Sequence, residues 1–134
     1  MKKWVITFLV LGIIFFFSYT ILAHGFSDIE KIAVQKYNID GKKIGKEKII
    51  EDKSTIKKVT RILNRANHKR NTKYEMAYHS DYEVTIYYQG KGTEVLSVWE
   101  QSGPYTTQFF RQSNSDWYKI KNDKRRKELI KILN

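Results

Sequence analysis

The chain has 134 residues, with 25 basic and 14 acidic side chains, a formal charge of +11 and no cysteine. That length suits one domain, and the missing cysteines exclude disulfides, thiolate catalysis, cysteine-based zinc sites and lipid attachment through sulfur. The positive excess points to anionic partners, namely phospholipid headgroups, polyanionic wall polymers or nucleic acid.

Residues 1–3 form a short basic N-terminus, and WVITFLVLGIIFFFSYTIL, Trp4 to Leu22, follows without a charge. Nineteen residues as a helix span about 28 Å, close to the hydrocarbon thickness of a bilayer. The apolar core of a cleaved signal peptide is shorter, about 7–15 residues, so the segment reads as a single-pass signal anchor bounded by Trp4 and Leu22. The alternative is secretion after cleavage at Gly25, where Ala23 and Gly25 supply small residues. Lys2 and Lys3 favour an N-terminus inside and a domain outside the cell membrane. Lys31, Lys36, Lys42 and Lys43 weigh against that orientation, whereas the export-signal layout and the leading acids Asp28 and Glu30 weigh for it. Residues 23–28 are then a linker and 29–134 a single extracytoplasmic domain. Without Lys2 and Lys3 the basic residues number 23 against 14 acidic, so the domain itself carries +9.

In chain order, apolar alternation over Ile29–Tyr37 predicts a strand. Gly41 marks a turn, and Ile44–Glu51 is its hairpin partner. In DKSTIKKVTRILNRA, residues 52–66, Ile56, Val59, Ile62, Leu63 and Ala66 share one face of a helix,. Asp52 or Ser54 is positioned to cap it. Asn67 to about Tyr74 is polar and reads as a loop. DYEVTIYYQ then alternates with Tyr82, Val84, Ile86 and Tyr88 on one side, QGKG supplies a glycine turn, and TEVLSVWE returns. YTTQFFRQ and WYKI are two further strands separated by SNSD. The chain closes on a helix capped by Asn122 or Asp123 that buries Leu129, Ile132 and Leu133. The order β-β-α-β-β-β-β-α gives an α+β fold, a small antiparallel sheet with two helices packed on one face.

The block DYEVTIYYQGKGTEVLSVWE, the glycine turn after it, WYKI and ELIKIL resemble the YhfM-like domain of small exported proteins of Bacillus and relatives. The shared pattern is a Tyr-led alternating strand, a glycine hairpin, a strand ending at Trp99, a late Tyr-containing strand and a short terminal helix. The preceding D-x-S-x-I helix is similar too, so the likeness runs from about Ile29 to Leu133. It implies an extracytoplasmic, membrane-tethered α+β module and carries over no catalytic residue. Two departures stand out. Ser80 occupies the place of a proline before the Asp-Tyr pair, and His24-Gly25 stands where some members end the leader in a lipobox cysteine.

No constellation announces catalysis. His79-Ser80-Asp81 places three catalytic residue types side by side, but triad members converge in space and neighbours on a strand alternate faces. The histidines His24, His68 and His79 are scattered, and no His/Asp/Glu pair at helical spacing suggests a metal; no cofactor is expected. Gly90-Lys91-Gly92 reads as a hairpin turn rather than a phosphate loop. Trp99, Tyr105, Phe109, Phe110, Trp117 and Tyr118 read first as sheet packing, with a glycan- or peptide-binding surface as the alternative.

The basic residues say more. Lys57, Arg61 and Arg65 fall at i, i+4 and i+8 on the outward face of the first helix, beside Lys58, and like charges so spaced repel by a few tenths of a kcal/mol per pair. Lys124, Arg125, Arg126 and Lys127 extend the patch if the two helices pack side by side. A solvated face is the plainer reading; an anionic lipid or wall polymer is the functional one, at about 1 kcal/mol per cation held near such a surface. Nucleic acid ranks low, because no recognition helix or aromatic RNA-binding motif is present. The sequence thus reads as a non-catalytic binding module for anionic envelope components or a protein partner. A small membrane immunity or inhibitor protein against a secreted peptide is the second reading, and an enzyme the third.

Overall fold

The computed structural model describes residues 25–69, 76–90, 92–103 and 105–134. The expected membrane span, Trp4–Leu22, lies outside the described residues. No helix among the described residues is long and apolar enough to cross a membrane.

Seven strands form one antiparallel sheet: β1 Ile29–Tyr37, β2 Lys43–Ile50, β3 Asn67–Lys69, β4 Tyr82–Tyr88, β5 Gly92–Trp99, β6 Thr107–Arg111 and β7 Asp116–Ile120. Their order across the sheet is β2-β1-β4-β5-β6-β7-β3. Two helices, α1 Lys53–Asn64 and α2 Asp123–Leu133, complete the α+β architecture.

Period-2 alternation decides which side of the sheet is covered. The register aligns Ile32 with Ile86 and Val34 with Val84. It continues through Val84–Leu96 and Tyr82–Val98, then through Val98–Phe109 and Phe109–Tyr118. These side chains form one buried cluster with Ile56, Val59, Ile62 and Leu63 of α1 and Leu129 and Leu133 of α2. The helix faces are those expected from the spacing, except that Ile132 is only partly buried. Asp52 is the α1 cap, its carboxylate accepting from the Thr55 amide, and Asn122 caps α2 through the Arg125 amide.

The fold departs from the sequence reading in two places. β3 falls within the expected loop after α1; it is three residues long, too short for alternation to show, and is held by pairing with β7 and by the His68 ring stacked on Tyr118 at 4.5 Å. Phe26, read as linker, is 0% exposed and packs edge-on against Phe109, 6.3 Å between ring centres. The first sheet edge is irregular. A bulge interrupts the β1–β2 register between Val34 and Lys36, and Gln35 reaches across it, its Nε2 donating to the carbonyls of Ile44 and Gly45. That bulge and the exposed lysines 43, 46 and 48 on β2 discourage further strands from pairing there.

Candidate functional site

The two helices carry most of the residues singled out from the sequence. α1 leaves β2 and α2 returns from β7, so the C-terminal half of α1 lies against the N-terminal end of α2. Between them is a cavity of about 250 Å³ lined by Lys58, Arg61, Ile62 and Arg65 from α1 and by Asn122, Lys124, Arg125 and Glu128 from α2. Five cations thus face one carboxylate. Among the described residues, no ion pair engages Lys58, Arg61, Arg65, Lys124 or Arg125. Asn122 ends α2 at this groove, so the positive end of that helix dipole adds to the same field. The desolvation cost of clustering these charges is modest because Arg61, Arg65 and Lys124 remain exposed. Their mutual repulsion is offset only partly by Glu128, so the groove carries a local excess of positive charge.

The other residues of the expected patch go elsewhere. Lys57 lies on the opposite flank of α1, where it lines a second depression with Asp28, Glu30 and Thr60. Asp123 takes Arg126 at 3.0 Å and Lys127 at 3.0 Å, and these two cations hold its carboxyl below the usual carboxylate range. The structure therefore gathers Lys58, Arg61, Arg65, Lys124 and Arg125 into one groove and leaves Lys57, Arg126 and Lys127 out of it. Helical geometry explains the division. Residues 58, 61/62 and 65 share the flank of α1 that meets α2, whereas 57, 60 and 64 share the other.

A second polar cluster was not singled out from the sequence. Glu94 and Arg111 occupy inward positions on β5 and β6, with side chains 7% and 12% exposed. Arg111 donates to both Glu94 oxygens, at 2.7 and 2.8 Å. Ser113 donates to Oε1 at 2.9 Å and the Tyr88 hydroxyl to Oε2. Burial pushes Glu94 up, but the bonds from Arg111 and Tyr88 outweigh it and leave the carboxyl below its ordinary value. Burial and the bond to Glu94 raise the Tyr88 hydroxyl. The Arg111 guanidinium lies 4.1 Å over the Phe26 ring. Beside it, His68 Nε2 is 2.8 Å from Asp116, and Asn114 donates to the Tyr118 hydroxyl. The alternation itself held the signal, since Glu94 continues the inward series of Leu96 and Val98. This cluster is an internally satisfied network that closes the end of the core beyond the helices.

The sequence triplet His79-Ser80-Asp81 does not converge. His79 Nδ1 bonds the Ser80 carbonyl, Ser80 is buried, and Asp81 accepts from the Glu100 amide. The aromatic residues divide between the two faces. Phe109 and Tyr118 stack in the core at 4.8 Å, whereas Trp117 packs against Trp99 and Phe110 on the face without helices. Trp99 donates to the Tyr78 carbonyl, and Tyr105 is exposed.

No curated protein matches the chain. Among solved structures, a thioesterase-like protein from Clostridium sporogenes is similar at 16% identity and a TM-score of 0.47, covering 79% of this chain and 94% of that one. The family model described as YhfM protein matches residues 27–134, which takes in all seven strands and both helices. The chain belongs to the YhfM family.

Proposed function

We propose that this protein is a non-catalytic binding module, held at the cell membrane by residues 4–22, that contacts anionic envelope components through the groove between α1 and α2. The observation that carries the reading is the convergence of Lys58, Arg61, Arg65, Lys124 and Arg125 on one cavity, free of ion pairs among the described residues. By contrast, Arg111 is paired with Glu94, and Arg126 and Lys127 with Asp123. Unmatched charge concentrated on one surface is what a polyanion recognises, because each contact replaces the mutual repulsion of the cations with attraction.

The test is titration of the full chain, in micelles of a neutral detergent, with long-chain polyphosphate. Each cation near a polyanion contributes on the order of 1 kcal/mol, and reversal both removes an attraction and adds a repulsion. The triple variant Lys58→Glu, Arg61→Glu, Arg65→Glu should therefore bind at least about 100-fold more weakly. Unchanged affinity in a variant that still folds would remove the groove from consideration.

A further inference from the structure

The chain enters the domain at the C-terminal end of α1, on the flank opposite the groove. Asn64, the last residue of α1, clasps the backbone of Phe26: its Nδ2 donates to the Phe26 carbonyl at 2.8 Å, and its Oδ1 accepts from the Phe26 amide at 3.2 Å. Phe26 is itself fully buried, so the entering chain is fixed to the C-terminal end of α1 by packing and by two hydrogen bonds. Arg65 is the next residue along, and Arg61 lies one turn back. From Leu22, the end of the expected span, four residues reach at most about 14 Å to Phe26. The tether therefore holds the basic end of α1 within about two Debye lengths of the surface from which the chain emerges.

Two surfaces of the domain are near that point. One is the end of the sheet, where Gln112, Ser113, Asn114 and Ser115 join β6 to β7 without a charge. The other is the helical layer, whose outward side carries Lys57, Lys58, Arg61, Arg65 and Lys124, all exposed. The attachment point fixes position, and charge decides which surface turns toward an anionic plane.

We infer that the helical layer lies against the headgroups of the same bilayer that holds residues 4–22, with the groove over anionic phosphodiester headgroups; this rests on the anchored, anion-binding reading above. The occupant is thus the lipid surface itself, and the domain is an electrostatic clamp on its own membrane rather than a free arm reaching into the wall.

The absence of cysteine from the chain makes the test direct. Single cysteines are introduced into the full chain at Ser54→Cys on α1, at the end of the helix away from the tether, at Thr85→Cys on the sheet face without helices, and at Gln112→Cys in the β6–β7 turn. Each is labelled with a fluorophore and reconstituted into nanodiscs of phosphatidylcholine alone or mixed with phosphatidylglycerol, with a quencher on the headgroups. Quenching of the Ser54→Cys label should rise several-fold in the anionic discs and fall back when Arg61→Glu and Arg65→Glu are added, while the Thr85→Cys label stays unquenched in both. Equal quenching of the Ser54→Cys label in neutral and anionic discs, or contact made through the Gln112→Cys turn, would overturn the inference. A domain that binds polyphosphate but leaves the Ser54→Cys label unquenched refutes the lipid assignment and leaves the anion-binding groove standing. Failure of both measurements removes both.

Discussion

Replacing Glu94 by Gln strips the charge from one half of a nearly buried pair while leaving its shape. Arg111 would keep its place at the end of the core, 12% exposed, with its two charge-assisted bonds to Glu94 weakened and that carboxylate charge gone. Breaking a buried pair from one side costs about 3–5 kcal/mol, whereas replacing both partners with apolar groups of similar volume is close to neutral. Unfolding of the full chain, followed by near-ultraviolet circular dichroism in neutral detergent, should therefore show Glu94→Gln melting roughly 10–20 °C lower. The double variant Glu94→Met, Arg111→Met should recover most of that loss. The pair also sets an acid limb. Because the folded carboxyl titrates below its ordinary value, its stabilisation is complete above about pH 4.3, the unfolded-state value. It is lost as pH falls through the lower folded value, and Glu94→Gln should flatten that limb. A loss below about 1 kcal/mol for Glu94→Gln, or a double variant costing the sum of the two single changes, would refute the coupling argument.

Two further changes probe how the chain is held. Asn64→Ala removes both hydrogen bonds to the Phe26 backbone and should cost about 1–3 kcal/mol, with faster amide exchange at residues 26–28 as its local signature. Gly41 adopts φ +79°, and an added Cβ would lie 3.1 Å from His79 Cδ2; Gly41→Ala should cost at least about 1–2 kcal/mol and displace the His79 resonances by NMR.

Residues with a periodic signature could be read from the sequence. The Tyr82–Tyr88 alternation, the glycine hairpin after it and the 56/59/62/63 stripe of α1 each have a repeat that a buried face imposes. β3 has none, because three residues contain no period and its stability comes from β7 and the Tyr118 ring. Phe26 was hidden by position, a single apolar residue between Gly25 and Ser27, close to the uncharged apolar stretch Trp4–Leu22 that accounts for the neighbouring hydrophobicity. The groove was half visible. Cations at 57, 61 and 65 mark the outward side of α1, but an i+4 spacing drifts around the helix, so only the packing of α2 shows that 58, 61 and 65 flank the interface. Pairing of Asp123 with Arg126 and Lys127 was open to reading at i+3 and i+4. Glu94 and Arg111 were legible singly as inward charges, though their meeting depends on the β5–β6 register.

On the proposed reading, placement of charge rather than its total makes the binding surface. Two variants of equal net charge separate these ideas: Arg61→Glu with Arg65→Glu in the groove, and Lys42→Glu with Lys43→Glu at the far end of β1, both exposed pairs. In polyphosphate titrations at low salt, the groove variant should lose at least about tenfold in affinity and the Lys42/Lys43 variant little. Equal losses in the two variants would show that binding follows net charge alone and would contradict the groove.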